Sequence, residues 1–126
     1  MIDPFQLNGG NLSYIGDSYY ELMIRLYLVN KGITSQNKLH TTAIKYVSAS
    51  AHTKIIQKLK TELTEVELEV FKRGRNQKNQ SRRKNLDISE HNDSSGFEAI
   101  LGYLYLQKDE KRLEYIMKRA IEIIEE

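Results

Sequence analysis

Residues 12–29 read LSYIGDSYYELMIRLYLV, and this run decides the fold. Nearly every position is apolar or aromatic, and the only charges, Asp17, Glu21 and Arg25, are spaced four apart. Wound as a helix, the run puts those charges on one stripe and apolar groups everywhere else. Such a helix belongs inside a bundle, and its three mid-segment charges argue against a membrane span. The single proline is Pro4, so nothing downstream removes a helical N–H or clashes with a preceding turn. The expected fold is all-α, with this helix, from about residue 11 to 30, buried at its centre.

Outward from that run, Leu39, Ala43, Tyr46 and Val47, then Ala51, Ile55, Ile56 and Leu59, predict two helices interrupted near Ser48. Thr64 and Glu67 have capping-box spacing before Leu68, Val70 and Phe71, so another helix starts there and fades near Gly74. Residues 76–93 are polar and rich in Asn, Gln and Ser, which predicts a long loop. A second apolar helix, FEAILGYLYL at 97–106, carries Glu98 as its one charge. A final amphipathic helix over 110–126 shows Leu113, Ile116, Met117, Ala120, Ile121 and Ile124 on one face. No repeat or change of composition marks a second domain, so residues 1–126 read as one.

The chain has no cysteine, which excludes disulfides, zinc–thiolate sites and thiol nucleophiles. No basic region followed by an apolar stretch and cleavage site opens it, so the expected location is the cytoplasm. Phosphate-binding glycine loops and dinucleotide fingerprints are missing, which argues against dependence on ATP or NAD. The formal net charge of +2 hides an asymmetry. Residues 72–84, KRGRNQKNQSRRK, hold seven of the nineteen basic residues and no acid, leaving twelve basic residues against seventeen acids elsewhere. Lys72, Arg73, Arg75, Lys78, Arg82, Arg83 and Lys84 are therefore candidate contacts to a polyanion, nucleic acid above all.

Asp17 and Glu98 each lie within an apolar segment, where an ionised carboxylate needs a cation, a donor or a metal. If the two helices meet, the pair suits Mg²⁺, which takes hard oxygen ligands and fills its shell with waters and substrate phosphates. Two other readings stand beside this one. Arg25 could pair with Glu21 along the charged stripe, and Ser95-Gly96-Phe97-Glu98 has the form of a capping box. His40, His52 and His91 lack metal-ligand spacing and read as surface or locally hydrogen-bonded residues. Tyr14, Tyr19, Tyr20, Tyr27, Tyr103 and Tyr105 crowd the two apolar helices and are assigned to packing, in the core or a dimer interface.

Tyr14-Ile15-Gly16-Asp17-Ser18 with Tyr20-Glu21 resembles the signature helix of the ribonuclease III catalytic domain. Leu39-His40, Tyr46-Val47-Ser48-Ala49, Arg73-Gly74-Arg75-Asn76, Lys84-Asn85, Ser95-Gly96-Phe97-Glu98-Ala99 and Leu101-Gly102-Tyr103-Leu104-Tyr105-Leu106 are similar, in order and spacing, to its compact bacterial branch, Mini-ribonuclease III. The resemblance implies an all-α endonuclease domain forming a symmetric homodimer, without a double-stranded-RNA-binding domain. It implies an Mg²⁺-dependent endoribonuclease, with Mn²⁺ as a substitute, that cuts double-stranded RNA to leave 5′-phosphomonoesters and matures the large-subunit ribosomal RNA precursor. Asp17 and Glu98 match the family's catalytic, metal-holding acids, and Glu21 is a further metal candidate. Full-length ribonuclease III has two more carboxylates where this chain has Ser13 and Ser95. That departure keeps a non-catalytic, helical double-stranded-RNA-binding module as the alternative.

Overall fold

The computed structural model describes residues 2–77 and 88–126. Among the described residues the regular structure is helical, as six α-helices and two short 3₁₀ turns. Helix α1 spans Gly9–Asn30; the Asn8 side chain caps it by accepting from the Asn11 N–H at 2.8 Å. It ends at Gly32, whose φ of +93° is the left-handed backbone that glycine adopts without a Cβ clash. Helices α2 (Gln36–Val47) and α3 (Ala49–Leu59) are divided by Ser48, as the sequence predicts. The Ser48 N–H bonds the Ile44 carbonyl to close α2, while its hydroxyl accepts from Ala51 to open α3. Helix α4 (Glu65–Arg75) starts at the complete Thr64–Glu67 capping box, and α6 (Glu110–Glu125) starts at Asp109.

Helix α5 (Ile88–Leu106) departs from expectation. It begins well inside the stretch read as loop, so Ser95 and Glu98 lie deep in a helix and the capping-box reading of Glu98 fails. The cause is tertiary. Ser94, Ser95 and Gly96 are small residues used as buried packing surface, with Gly96 against the Phe71 ring and Ser95 against α1. Small size, which in isolation signals a turn, here admits a neighbouring helix.

The centre of the bundle is α5 rather than α1. Helix α5 packs against α1, α3, α4 and α6, and contributes Phe97, Ile100, Leu101 and Leu104 to a core completed by Tyr20, Ile24 and Leu28 of α1, Ile55 and Leu59 of α3, and Ile116 and Ile123 of α6. Each fully buried aliphatic or aromatic side chain contributes roughly 2 kcal/mol. Helix α1 is not buried all round. Tyr14 is 77% exposed, and Leu22, Leu26 and Val29 stand about half exposed.

Polar ties lock the periphery. Glu67 is buried and held by two Arg112 nitrogens at 2.7 and 2.8 Å, while Arg112 also donates to the Glu62 carbonyl. Near the C-terminus, the Glu125 carboxylate accepts from Tyr27, Tyr46 and Lys31, fastening α6 to α1 and α2. No helix among the described residues is long and apolar enough to cross a membrane.

Candidate active site at the α1/α5 crossing

Helices α1 and α5 meet backbone to backbone because each carries a glycine at the contact. A Cβ on Gly16 would lie 1.7 Å from the Glu98 carbonyl oxygen, and one on Gly102 would lie 1.9 Å from the Leu12 carbonyl oxygen. Leu12 and Gly16 are one turn apart on α1, as are Glu98 and Gly102 on α5, so the same contact is made twice, once in each direction. Two helices this close bring the residues beside the glycines within reach. Asp17 follows Gly16, Glu98 supplies the carbonyl, and their carboxyl groups are hydrogen-bonded to each other. The sequence thus named the two acids, and the glycines explain why they meet.

Two carboxyls in contact cannot both ionise cheaply in a partly buried site. Burial, the hydrogen bond to Asp17 and the charges of Asp17 and Glu21 push the Glu98 carboxyl up to about 9, so it keeps a proton and donates it to Asp17 at neutral pH. Asp17 itself is exposed, which corrects the expectation of a helix buried around it and leaves the pair accessible from solvent. Glu21 is one turn away, but its carboxylate lies 3.5 Å from Arg25, the internal pairing that the stripe allowed. Among the described residues no three potential ligands cluster as a ready-made metal cage. The donor set is two carboxyl groups, Asp17 exposed and Glu98 largely buried beside it. That fits a hard divalent cation such as Mg²⁺, whose charge would take the place of the shared proton and whose shell keeps waters and phosphate oxygens.

The Ser13 hydroxyl is not free to face this site. The Ser13 hydroxyl donates to the Ser95 carbonyl at 2.6 Å and accepts from the Gln77 amide at 3.4 Å, and both serines are buried. A neutral hydrogen-bonded cluster stands where the larger ribonucleases of the resemblance have two more acids.

The reading of His52 as a surface or locally bonded residue is corrected by the fold. It is 1% exposed between Tyr20 and Phe97, with Nδ1 2.7 Å from the hydroxyl of Ser94 across the bundle. Burial drives its pKa down to about 4, against an upward pull from Asp17. The signal is present in the sequence: His52, Ile55, Ile56 and Leu59 share one helical face.

The basic candidates divide. Lys72 is exposed on the last turn of α4. Arg73 hydrogen-bonds the carbonyls of Phe5 and Leu7 and stacks 4.1 Å over the Phe5 ring, and Arg75 pairs with Asp93 at 2.9 Å. Both arginines thereby anchor the N-terminal segment and the start of α5. Lys78, Arg82, Arg83 and Lys84 lie outside the described residues.

Residues 10–109 match the Ribonuclease III domain. The chain is 44% identical to the Mini-ribonuclease 3 of Clostridium tetani, over 98% of this chain and 83% of that protein. It is 42% identical to the Mini-ribonuclease 3 of Streptococcus pneumoniae, over 99% of each. Its fold superposes on a crystal structure of a Fusobacterium nucleatum protein with a TM-score of 0.83 at 28% identity, covering 93% of both chains. An all-α bundle, glycines at the helix crossing, a facing Asp–Glu pair and these matches lead to one conclusion: the chain belongs to the ribonuclease III family, on its Mini-ribonuclease 3 branch.

Proposed function

We propose that the protein is an Mg²⁺-dependent endoribonuclease that hydrolyses double-stranded RNA, leaves 5′-phosphomonoesters, and acts as a homodimer on the large-subunit ribosomal RNA precursor in the cytoplasm. The observation that carries this reading is the Asp17–Glu98 pair, brought together by the glycine-lined crossing and reachable from solvent at Asp17. When bound, Mg²⁺ supplies charge neutralisation at the scissile phosphate and a bound water of lowered pKa. Asp17 and Glu98 would hold the cation, which requires the Glu98 carboxyl to give up its proton. The close helix crossing, with Ser13 bonded to the Ser95 carbonyl across it, fixes the backbones that carry both acids so that little reorganisation is left for the moment of reaction. Lys72 and the basic residues that follow it hold the duplex by its phosphates.

Support for a homodimer comes from α1. Tyr14, Leu22, Leu26 and Val29 are exposed on α1, and Val29 lines a groove of about 570 Å³ together with Arg25 and Ile44 of α2. Several exposed apolar side chains on one helix of a small domain suit an interaction surface.

The test is cleavage of a long duplex RNA with Mg²⁺, with EDTA, and beside a duplex DNA of the same sequence. Mg²⁺-dependent cutting of RNA alone is expected, with Glu98→Gln and Asp17→Asn retaining RNA binding and losing most cleavage. The serines at 13 and 95 favour one competing reading, a duplex-RNA-binding module that does not cut. RNA bound but intact with every divalent metal tried would select it.

A further inference from the structure

The C-terminal end of α4 forms one wall of a cleft of about 390 Å³. Three cations line it, Lys60, Lys72 and Arg75, against a single acid, Asp93. Lys72 and Arg75 suit the last turn of a helix, where cations meet the unpaired carbonyls. Lys60 has no such reason to be there. It arrives from a separate element, the 3₁₀ turn Lys60–Glu62, and its ammonium lies 5.6 Å from the centre of the Phe71 ring, which also lines the cleft. An aromatic ring orients an ammonium without neutralising it, so the charge stays available to an anion. Among the described residues no carboxylate pairs with Lys60 or Lys72. The one acid of the cleft is already engaged. Asp93 accepts from Arg75 Nε at 2.9 Å, which fixes the guanidinium and leaves its two terminal nitrogens without a hydrogen bond among the described residues.

On the reading that the protein binds duplex RNA, we infer that this cleft is a phosphate seat, in which Lys60, Lys72 and the terminal nitrogens of Arg75 hold one phosphate of the RNA backbone. The guanidinium fork matches two phosphate oxygens and the ammonium groups add point charges. Helix α5 sets the distance of the seat from the acids: Asp93, which orients Arg75, precedes Glu98 by five residues, or about 7.5 Å along the helix axis. The end of α4 is also tied to α1, because the Gln77 amide donates at 3.4 Å to Ser13, one turn before Asp17. A phosphate in the cleft is therefore a different one from that at Asp17 and Glu98, held at a set offset from it. Such a contact fixes the position of the strand and carries no base sequence of its own.

The test is duplex-RNA binding in EDTA, read by filter binding across a series of salt concentrations. Lys60→Gln is expected to weaken affinity several-fold and to lower the slope of log affinity against log salt by roughly 0.7 to 0.9, the share of one phosphate contact. Lys60→Arg should restore both. Lys118→Gln, which removes the same charge from the exposed side of α6, should leave both as in the wild type. A Lys60→Gln protein that binds like Lys118→Gln would overturn the seat. A second measurement separates the seat from the RNA reading. Inorganic phosphate is titrated into the metal-free protein, against chloride at matched ionic strength, while ¹⁵N NMR follows the Arg75 Nε–H. Phosphate is expected to shift that signal in the wild type, and to shift it less in Lys60→Gln. Should the wild-type protein bind no duplex RNA, the proposed function fails; a signal that phosphate still moves keeps the seat, and one that it does not move overturns the seat as well.

Discussion

At the scale of single residues, the proton on Glu98 makes the site measurable without RNA. Its folded pKa of about 9 stands above its unfolded value of 4.5, so between those limits the folded state binds the extra proton. That contribution to stability is complete below about pH 4.5 and is lost as pH rises toward 9. The melting temperature of the metal-free protein is therefore expected to fall across this window, and thermal melts in EDTA at stepped pH check it. Glu98→Gln, whose amide donates to Asp17 without a titratable proton, should flatten the fall and melt higher than wild type at pH 8. Gly16 tests the helix approach. With a Cβ 1.7 Å from the Glu98 carbonyl oxygen, Gly16→Ala must push α1 from α5, costing ~3 kcal/mol as overpacking does at its upper end and parting the acids. Chemical denaturation should show that drop in stability.

At the scale of the elements, the helix starts and stops are set by local chemistry and were legible. Ser48, the Thr64–Glu67 box and the apolar face of α6 did what their sequence patterns predict. Helix α5 was not legible at its start, because Ser94, Ser95 and Gly96 look like loop residues until Phe71, Ser13 and His52 are packed against them. The Glu67–Arg112 pair joins α4 to α6, with the Glu67 side chain 3% exposed. Removing its partner strands a buried carboxylate. Arg112→Met is expected to destabilise the protein by about 3 kcal/mol, the low end for breaking a buried pair, as read from urea unfolding. Glu67 and Arg112 replaced together by apolar residues of matching volume should recover much of that.

For the whole molecule, two surfaces remain to be satisfied. The exposed apolar side of α1 should hold two protomers together, so Leu22→Asp with Leu26→Asp is expected to give a monomer by sedimentation while the helical content is kept. A dimer that survives both charges would place the interface elsewhere. RNA affinity should fall steeply with salt through the basic residues of 72–84. Because Arg73 and Arg75 already serve the fold, Lys72, Lys78, Arg82, Arg83 and Lys84 are the residues to neutralise. Their replacement by Gln is expected to reduce the slope of log affinity against log salt by roughly 0.7 or more for each phosphate that is no longer neutralised. An unchanged slope in filter binding would mean that other residues hold the duplex.

The sequence by itself determined the helical class, the helix starts at Ser48 and Thr64 and the choice of Asp17 and Glu98 as candidates, because periodicity, capping chemistry and an acid in an apolar run are local properties carried by neighbouring residues. Only the tertiary structure decided that Glu98 lies deep in a helix rather than at its cap, that Glu21 turns to Arg25, that His52 is buried, and that Arg73 and Arg75 brace the fold. Each of those outcomes depends on which surfaces meet across the bundle. Gly16 and Gly102 set that meeting: lacking side chains, they let two backbones touch, and only then does each residue acquire the neighbours that fix its charge and its role.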